Sequence, residues 1–129
     1  MQTANVVNIK VTGNFDHNLE SIRCYFHQHH QTEKYEKLLD TLFDKIIPNL
    51  QSHPMIGFDF LAQSVNTVEE LRQVSIIKAK LAKNTSIRQY NDKDHIVLYA
   101  LTTTAKSNDV SLLSIKHQQQ MTFDLSGIN

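Results

Sequence analysis

A helical pattern of apolar residues between residues 35 and 50 is the strongest signal along the chain. Apolar side chains recur there at spacings of three and four residues, which is typical of the buried face of a helix. Pro48 lies inside this stripe, and its ring would clash with the carbonyl oxygen of Asp44 in a regular helix. The helix is therefore expected to kink or end near Ile47. The stripe consists of Tyr35, Leu38, Leu39, Leu42, Phe43, Ile46, Ile47 and Leu50.

A strand and a weaker helix are predicted before this element. Apolar residues alternate with other residues over residues 5–11, which indicates a strand. Gly13 and Asn14 follow and predict a turn, and Asp16 is a suitable N-cap for a first helix. The apolar side of this predicted helix carries Leu19, Ile22 and Phe26.

A third, shorter helix is predicted over residues 67–82, after a break at residues 53–57. Thr67 precedes Glu70 by three residues. This spacing is that of a capping box, in which the threonine hydroxyl and the glutamate carboxylate each bind a backbone N–H at the start of the helix. The apolar face of the helix carries Leu71, Val74, Ile77 and Leu81.

The spacing of apolar residues changes to two from Ser86 onward, which indicates strands rather than helices. The middle strand is apolar at every position from Ile96 to Leu101. It is therefore predicted to be a central strand that is covered on both faces. The three predicted strands are residues 87–90, 95–102 and 110–117.

The order of elements, β-α-α-(α)-β-β-β, predicts an α+β fold in one domain over residues 1–129. Helices gathered early and hairpin-linked strands late favour an antiparallel sheet over a parallel one. The two-helix hairpin is expected to pack on one face of this sheet. The other face is expected to remain open for binding.

The composition of the chain does not indicate a particular class of partner. The chain has 13 basic and 13 acidic residues, so no overall charge draws it to nucleic acid or membrane. Residues 71–91 contain five basic residues and no acidic residue. Such a segment is usually a solvated helix face, and the alternative is a patch that binds phosphate or a partner. Cys24 is the single cysteine, and no apolar run approaches the roughly 18 residues of a membrane span. We expect a cytoplasmic protein.

Three short segments of the strand region resemble the RelE/ParE toxin superfamily. Residues 87–90 (IRQY) place an arginine in the strand after the helices, residues 95–99 (HIVLY) are similar to the central strand, and residues 112–117 (LLSIKH) are similar to the closing strand. The order of elements resembles the family over nearly the whole chain. The segment between residues 57 and 86 is longer than in minimal members, which accommodates the extra helix.

This resemblance implies the toxin of a type II toxin–antitoxin pair, without a cofactor, neutralised by a cognate antitoxin in a hetero-oligomer. ParE-like members poison DNA gyrase, whereas RelE-like members cleave mRNA on the ribosome. The chain has only three arginines, and three glutamines follow His117. This departure from the nuclease pattern favours the gyrase branch. A non-toxic interaction module of the same fold is the alternative from a different class.

If the protein is a nuclease, the resemblance and the chemistry select Arg88, Lys116 and His117 as catalytic residues. Cleavage at a 2′-hydroxyl needs a base, an acid and a cation at the phosphate. Lys116 and His117 are neighbours on a strand and point to opposite faces, so only one can act with Arg88. A structural role is the alternative for His117, and an ion pair with Asp92 or Asp94 for Arg88. Counting by two groups Lys116 with Val110, Leu112 and Ser114, and His117 with Leu113 and Ile115.

Four apolar or aromatic residues are candidates for contact with the partner. Tyr90 lies in the first of the late strands, and Met121, Phe123 and Leu125 continue an alternation beyond the last one. This alternation predicts either a strand extension or an apolar tail that takes part in an interface.

A zinc site is not expected at Cys24, His27 and His30. Cys24 and His27 share a helix face, but His30 has rotated away from it. A closed tetrahedral site also needs four ligands, and the chain has no second cysteine to complete the set.

Overall fold

A mixed five-stranded sheet with helices on both faces organises residues 6–62, 67–120 and 122–128, which the computed structural model describes. The strands and helices, in chain order, are β1 (Val6–Val11), α1 (Gly13–Gln28), α2 (Thr32–Thr41), a π-helical turn (Leu42–Ile46), α3 (Ile47–Ser52), β2 (Phe58–Asp59), a 3-10 turn (Phe60–Ala62), α4 (Val68–Ala79), β3 (Thr85–Asp92), β4 (His95–Thr103) and β5 (Ser107–His117). The strand order is β1-β5-β4-β3-β2. No helix among these residues has the length and apolar character needed to cross a membrane.

The α+β class is confirmed, and one pair of strands departs from the predicted antiparallel sheet. The pairs β2–β3, β3–β4 and β4–β5 are antiparallel, but β1 runs parallel to β5, with Val6 opposite Ser107 and Val11 opposite Leu112. Parallel neighbours require a crossover connection. The segment between β1 and β5 supplies it, and β4 brings the chain back to the end of the sheet where β1 begins, since Asn108 is opposite both Thr103 and Val7.

Helix α1 begins four residues earlier than the sequence pattern predicts. Thr12 is the N-cap, and its hydroxyl accepts a hydrogen bond from the N–H of Phe15 at 3.2 Å. Gly13 and Asn14, predicted as a turn, are therefore the first residues of the helix. Asp16 is not the cap but lies in the first turn, where its negative charge interacts favourably with the positive end of the helix dipole.

The long helix after α1 is confirmed over residues 32–52, and a π-helical turn accommodates Pro48. In this turn the N–H of Ile47 donates to the carbonyl oxygen of Leu42, five residues back. This wider turn lets the helix continue through Pro48 without the clash that its ring would make with the carbonyl oxygen of Asp44 in a regular helix. Phe43, counted in the apolar stripe, remains 61% exposed beside this turn.

Apolar cores lie on both faces of the sheet, as predicted for β4. The expectation of an open binding face is wrong, because α4, the 3-10 turn and the segment 122–128 cover the face opposite the helical hairpin. The core on the hairpin side contains Phe15, Leu38, Leu42, Ile46, Leu50, Tyr90, Val97, Tyr99, Leu101, Val110, Leu112 and Ile115. The core on the α4 side contains Phe60, Val74, Ile87, Leu98, Ala100, Leu113, Phe123 and Leu125.

A β-bulge in β5 changes which residues share a face. Leu98 pairs with Ser114 and Tyr99 with Leu112, so Leu113 is the extra residue of β5. The predicted grouping of Ile115 with Leu113 is therefore wrong. Ile115 packs on the hairpin side, whereas Leu113 packs on the α4 side.

Two asparagines of α1 form hydrogen bonds with backbone groups in the part of β5 that extends beyond β1. Asn14 donates from its amide to the carbonyl oxygens of Leu113 and Asp124, both at 2.8 Å. Asn18 accepts hydrogen bonds from the N–H of Ile115 and the hydroxyl of Ser114, and donates to the carbonyl oxygen of Asp124. Both asparagines are buried. Their side chains thus join α1, β5 and the C-terminal segment at positions where a strand edge would otherwise lack partners.

Candidate functional site

A cleft of about 590 Å³ opens where β4 begins and β5 ends. His95 and His117 are opposite each other in the antiparallel pairing of β4 with β5, and both line the cleft. The remaining lining residues come from α1, from the start of the helical hairpin's second arm, from β5 itself and from the segment after β5. They are Asn18, Ser21, Ile22, Tyr25, Phe26, Gln31, Lys34, Ile115, Gln119, Gln120 and Asp124.

The two histidine rings contact each other in an edge-to-face arrangement. Their centroids are 5.3 Å apart, and their planes are inclined by 83°. Nδ1 of His117 accepts a hydrogen bond from the N–H of Gln119 at 3.1 Å, so the neutral ring carries its proton on Nε2. Nε2 of His95 is buried and has no hydrogen-bond partner among the described residues. This is unusual, because buried polar atoms are nearly always paired.

Burial and the neighbouring His117 ring lower the pKa of His95 below its ordinary value near 6.5, and the nearby Asp94 and Asp92 only partly offset this. Below about pH 6.5 the unfolded chain therefore binds more protons at this position than the folded chain does. The contribution of a neutral His95 to stability is present above that pH and is lost as the pH falls from there toward the lower folded-state pKa.

We expect the melting temperature to fall more steeply between pH 7.5 and pH 5.5 in the wild-type protein than in His95→Gln. Thermal unfolding followed by circular dichroism measures this difference. His53→Gln, which removes an exposed histidine outside the cleft, is the matched control and is expected to keep the wild-type slope. Equal slopes for wild type and His95→Gln would show that His95 does not titrate differently in the folded protein.

The guanidinium of Arg88 forms hydrogen bonds with backbone groups of the chain itself. It donates to the carbonyl oxygens of Met55 and Gly57 and to the hydroxyl of Ser86. The predicted ion pair with Asp92 or Asp94 does not form in the structure. Asp92 is paired instead with Lys45, at 2.7 Å. Arg88 thus holds the segment before β2 against β3.

Lys116 lies in a buried ion pair on the α4 side of the sheet. Its Nζ is 3.5 Å from Oε2 of Glu70 and 4.5 Å from the centroid of the Phe123 ring. The same carboxylate oxygen accepts a hydrogen bond from the N–H of Phe123 at 3.0 Å. Thr67 does cap α4 as predicted, by accepting from the N–H of Glu70. The glutamate, predicted to complete a capping box, binds Lys116 and the C-terminal segment.

The three candidate catalytic residues do not converge. Lys116 packs on the α4 side, whereas His117 lines the cleft on the hairpin side. Arg88 pairs with Tyr99, four positions along the sheet from the level of His95 and His117. With two strand spacings across the sheet and four residues along it, the backbones of Arg88 and His117 are about 16 Å apart. Arg88 does not line the cleft that contains His117, and its guanidinium donates to the carbonyl oxygens of Met55 and Gly57.

The candidate partner-binding residues mostly lie inside the fold. Tyr90 is 8% exposed, and its hydroxyl accepts a hydrogen bond from Asn49 at 2.9 Å. Phe123 and Leu125 are 3% and 8% exposed and pack in the core on the α4 side, so the predicted apolar tail folds back onto the sheet. Met121 lies outside the described residues. In this conformation the three described side chains are not available to a partner.

Cys24 and His27 lie in α1, and His30 follows the end of that helix. Among residues 6–62, 67–120 and 122–128, no three histidine, cysteine, aspartate or glutamate side chains are grouped so that they could hold a metal ion. Cys24 is exposed and is not in a disulfide. The absence of bound zinc stays a prediction.

Sequence reasoning selected His117 but missed its partner in the cleft. His95 was interpreted only as the start of a strand. The strand pattern alone gives no signal for this pair, because counting outward from the turn, where Thr103 pairs with Asn108, places His95 opposite Lys116. The extra residue Leu113 brings His117 opposite His95. No protein-family model and no curated protein matches the chain, so its likeness to the toxin superfamily remains a resemblance.

Proposed function

We propose that this chain is the toxin of a type II toxin–antitoxin pair, which inhibits bacterial growth by binding DNA gyrase and is neutralised by an antitoxin protein. The observation that carries the proposal is the arrangement of its elements. A strand, a helical hairpin and the three-stranded meander β3-β4-β5 follow one another, with β1 beside the closing strand. This is the layout on which the resemblance to the RelE/ParE superfamily rests. The activity is a cytoplasmic one.

The positions of the charged residues favour a binding mode of action over cleavage of RNA. Arg88 holds the chain's own carbonyl oxygens, and Lys116 is paired with Glu70. Neither cation faces the cleft that contains His117. A site that cleaves RNA must neutralise several phosphates at once, and such a surface requires clustered basic side chains. Inhibition of gyrase by complex formation requires no catalytic group.

Ribosome-dependent mRNA cleavage is the second candidate function, because His117 has a second histidine beside it. Cleavage at a 2′-hydroxyl requires one group that accepts a proton and one that donates a proton. Two imidazoles 5.3 Å apart in a cleft that also contains Lys34 are of the right chemical type. If this function holds, the acid–base pair is His95 and His117, and Arg88 has a structural role.

Expression of the chain alone is expected to stop bacterial growth, and the purified protein is expected to inhibit supercoiling by gyrase. Co-expression of the cognate antitoxin should restore growth. The measurements are colony counts after induction, a supercoiling assay and primer extension on cellular messages. His117→Ala is compared with His53→Ala, a control outside the cleft, after circular dichroism has shown that both fold.

Each alternative has a distinct outcome in these measurements. Codon-phased cuts that disappear in His117→Ala, with gyrase unaffected, would contradict the gyrase proposal and support the nuclease. Normal growth on induction in several bacterial hosts would reject the toxin function altogether. The chain would then be a non-toxic interaction module of this fold.

A further inference from the structure

We infer that the cleft around His95 and His117 is the docking site for an uncharged peptide segment of a partner protein, which binds through its amide groups. The inference rests on the proposed function in one respect, since the antitoxin is the partner that would supply such a segment. The site itself is argued from its hydrogen-bonding groups, its charges and its apolar surface.

The hydrogen-bonding groups of the cleft are incompletely satisfied. Nε2 of His95 has no partner among the described residues but is buried in the observed conformation, so a segment that binds must move a neighbouring side chain to reach it. His117 receives an N–H at Nδ1 and therefore presents its own N–H from Nε2, which a peptide carbonyl can accept. Ser21 and Gln31 add neutral polar groups to the lining. A ligand with both donors and acceptors, as a peptide backbone has, complements such a set.

The charges of the cleft disfavour a polyanion. Lys34 is the cation among the lining residues, and the carboxylate of Asp124 lies in the same lining. Hydrogen bonds from Ser126 lower the pKa of Asp124, so this carboxylate is negative at neutral pH. The two opposite charges offset each other. Together Lys34 and Asp124 offer no net charge to a phosphate backbone, whereas a neutral segment needs none.

The apolar part of the cleft provides an anchor for such a segment. Tyr25 is 56% exposed at the cleft and packs against the ring of His29, with centroids 4.2 Å apart. Ile22, Phe26 and Ile115 complete the apolar lining. Tyrosine is among the residues that are enriched where proteins bind one another. The volume of about 590 Å³ falls in the range of clefts that enclose a ligand.

The test uses the full-length protein and peptides selected from a random heptapeptide phage library. We expect the selected peptides to be uncharged and rich in amide side chains, and to shift the imidazole resonances of His95 and His117 in long-range ¹H–¹⁵N spectra. His117→Phe and His95→Phe keep a ring of similar shape but remove its nitrogens. We expect each to weaken binding of a synthesised peptide at least tenfold, measured by fluorescence anisotropy. His53→Phe is the control and is expected to bind as wild type does.

Selected peptides that leave the two imidazoles unshifted, or that bind His95→Phe and His117→Phe as tightly as wild type, would overturn the inference. Tighter binding of the RNA hexauridylate at the same imidazoles would overturn it in favour of a nucleic-acid site. These measurements do not depend on toxicity. Peptide binding at the cleft by a harmless protein would reject the proposed function alone, and toxicity without peptide binding would reject the docking site alone.

Discussion

Glu70→Ala is expected to lower the free energy of unfolding by about 3–5 kcal/mol, because it breaks a buried ion pair on one side only. The Glu70 side chain is 4% exposed, and its carboxylate contacts both Nζ of Lys116 and the N–H of Phe123. Removing the carboxylate takes the charge of Glu70 away from the buried ammonium of Lys116. It also takes the hydrogen-bond acceptor from the backbone N–H of Phe123, in the segment that covers the sheet.

Urea denaturation of Glu70→Ala against wild type measures this effect. Glu69→Ala is the matched control, since Glu69 is in the same first turn of α4 but is exposed. The double variant Glu70→Leu with Lys116→Met removes both charges and should recover most of the lost stability, as apolar replacements of buried pairs often do. A loss below about 1 kcal/mol in Glu70→Ala, the range of a surface pair, would show that the ion pair is solvated.

Asn18→Ala is expected to lower the free energy of unfolding by about 2–4 kcal/mol, because several buried groups lose their hydrogen-bond partner at once. The side-chain oxygen of Asn18 accepts from Ser114 and Ile115, and its amide donates to the carbonyl oxygen of Asp124. Alanine has the higher helix propensity, but that gain is only about 0.5 kcal/mol.

Chemical denaturation gives the total effect of Asn18→Ala, and hydrogen exchange at the Ile115 amide locates it. This amide is expected to exchange faster than in wild type, while amides in the centre of β4 keep their order of protection. Ser21→Ala changes an exposed residue of the same helix and is expected to be neutral within about 0.5 kcal/mol. An unchanged Ile115 exchange rate would mean that water or another group replaces the asparagine.

The local elements of this fold were predictable because their signals are local. The stripe from Tyr35 to Leu50 requires a helix, and the all-apolar segment at the centre of β4 requires cover on both faces. The parallel pairing of β1 with β5 was not predictable in this way, since it joins residues about 100 positions apart. The Leu113 bulge was missed for a related reason, because one extra residue reverses the face of every later position.

The candidate site was predicted only in part, for a reason that lies in side-chain packing. His117 was selected from its place at the end of the last strand, and the structure puts it in a cleft. Arg88 and Lys116 were grouped with it by residue type. Their partners, the carbonyl oxygens of Met55 and Gly57 and the carboxylate of Glu70, are distant in sequence. The position of Glu70 in the sequence gives no sign that its carboxylate contacts β5 instead of the start of its own helix.

The parallel pairing of β1 with β5 has a consequence for the order in which the protein folds during its synthesis. β1 leaves the ribosome before the other described strands, whereas its partner, residues 107–112, leaves after the rest of them. The helical hairpin can form meanwhile, because its contacts are local. Until β5 emerges, the segment Val6–Val11 has no strand to pair with and is open to pairing with another nascent chain. Slow elongation between β1 and β5 would lengthen this exposed period and increase aggregation.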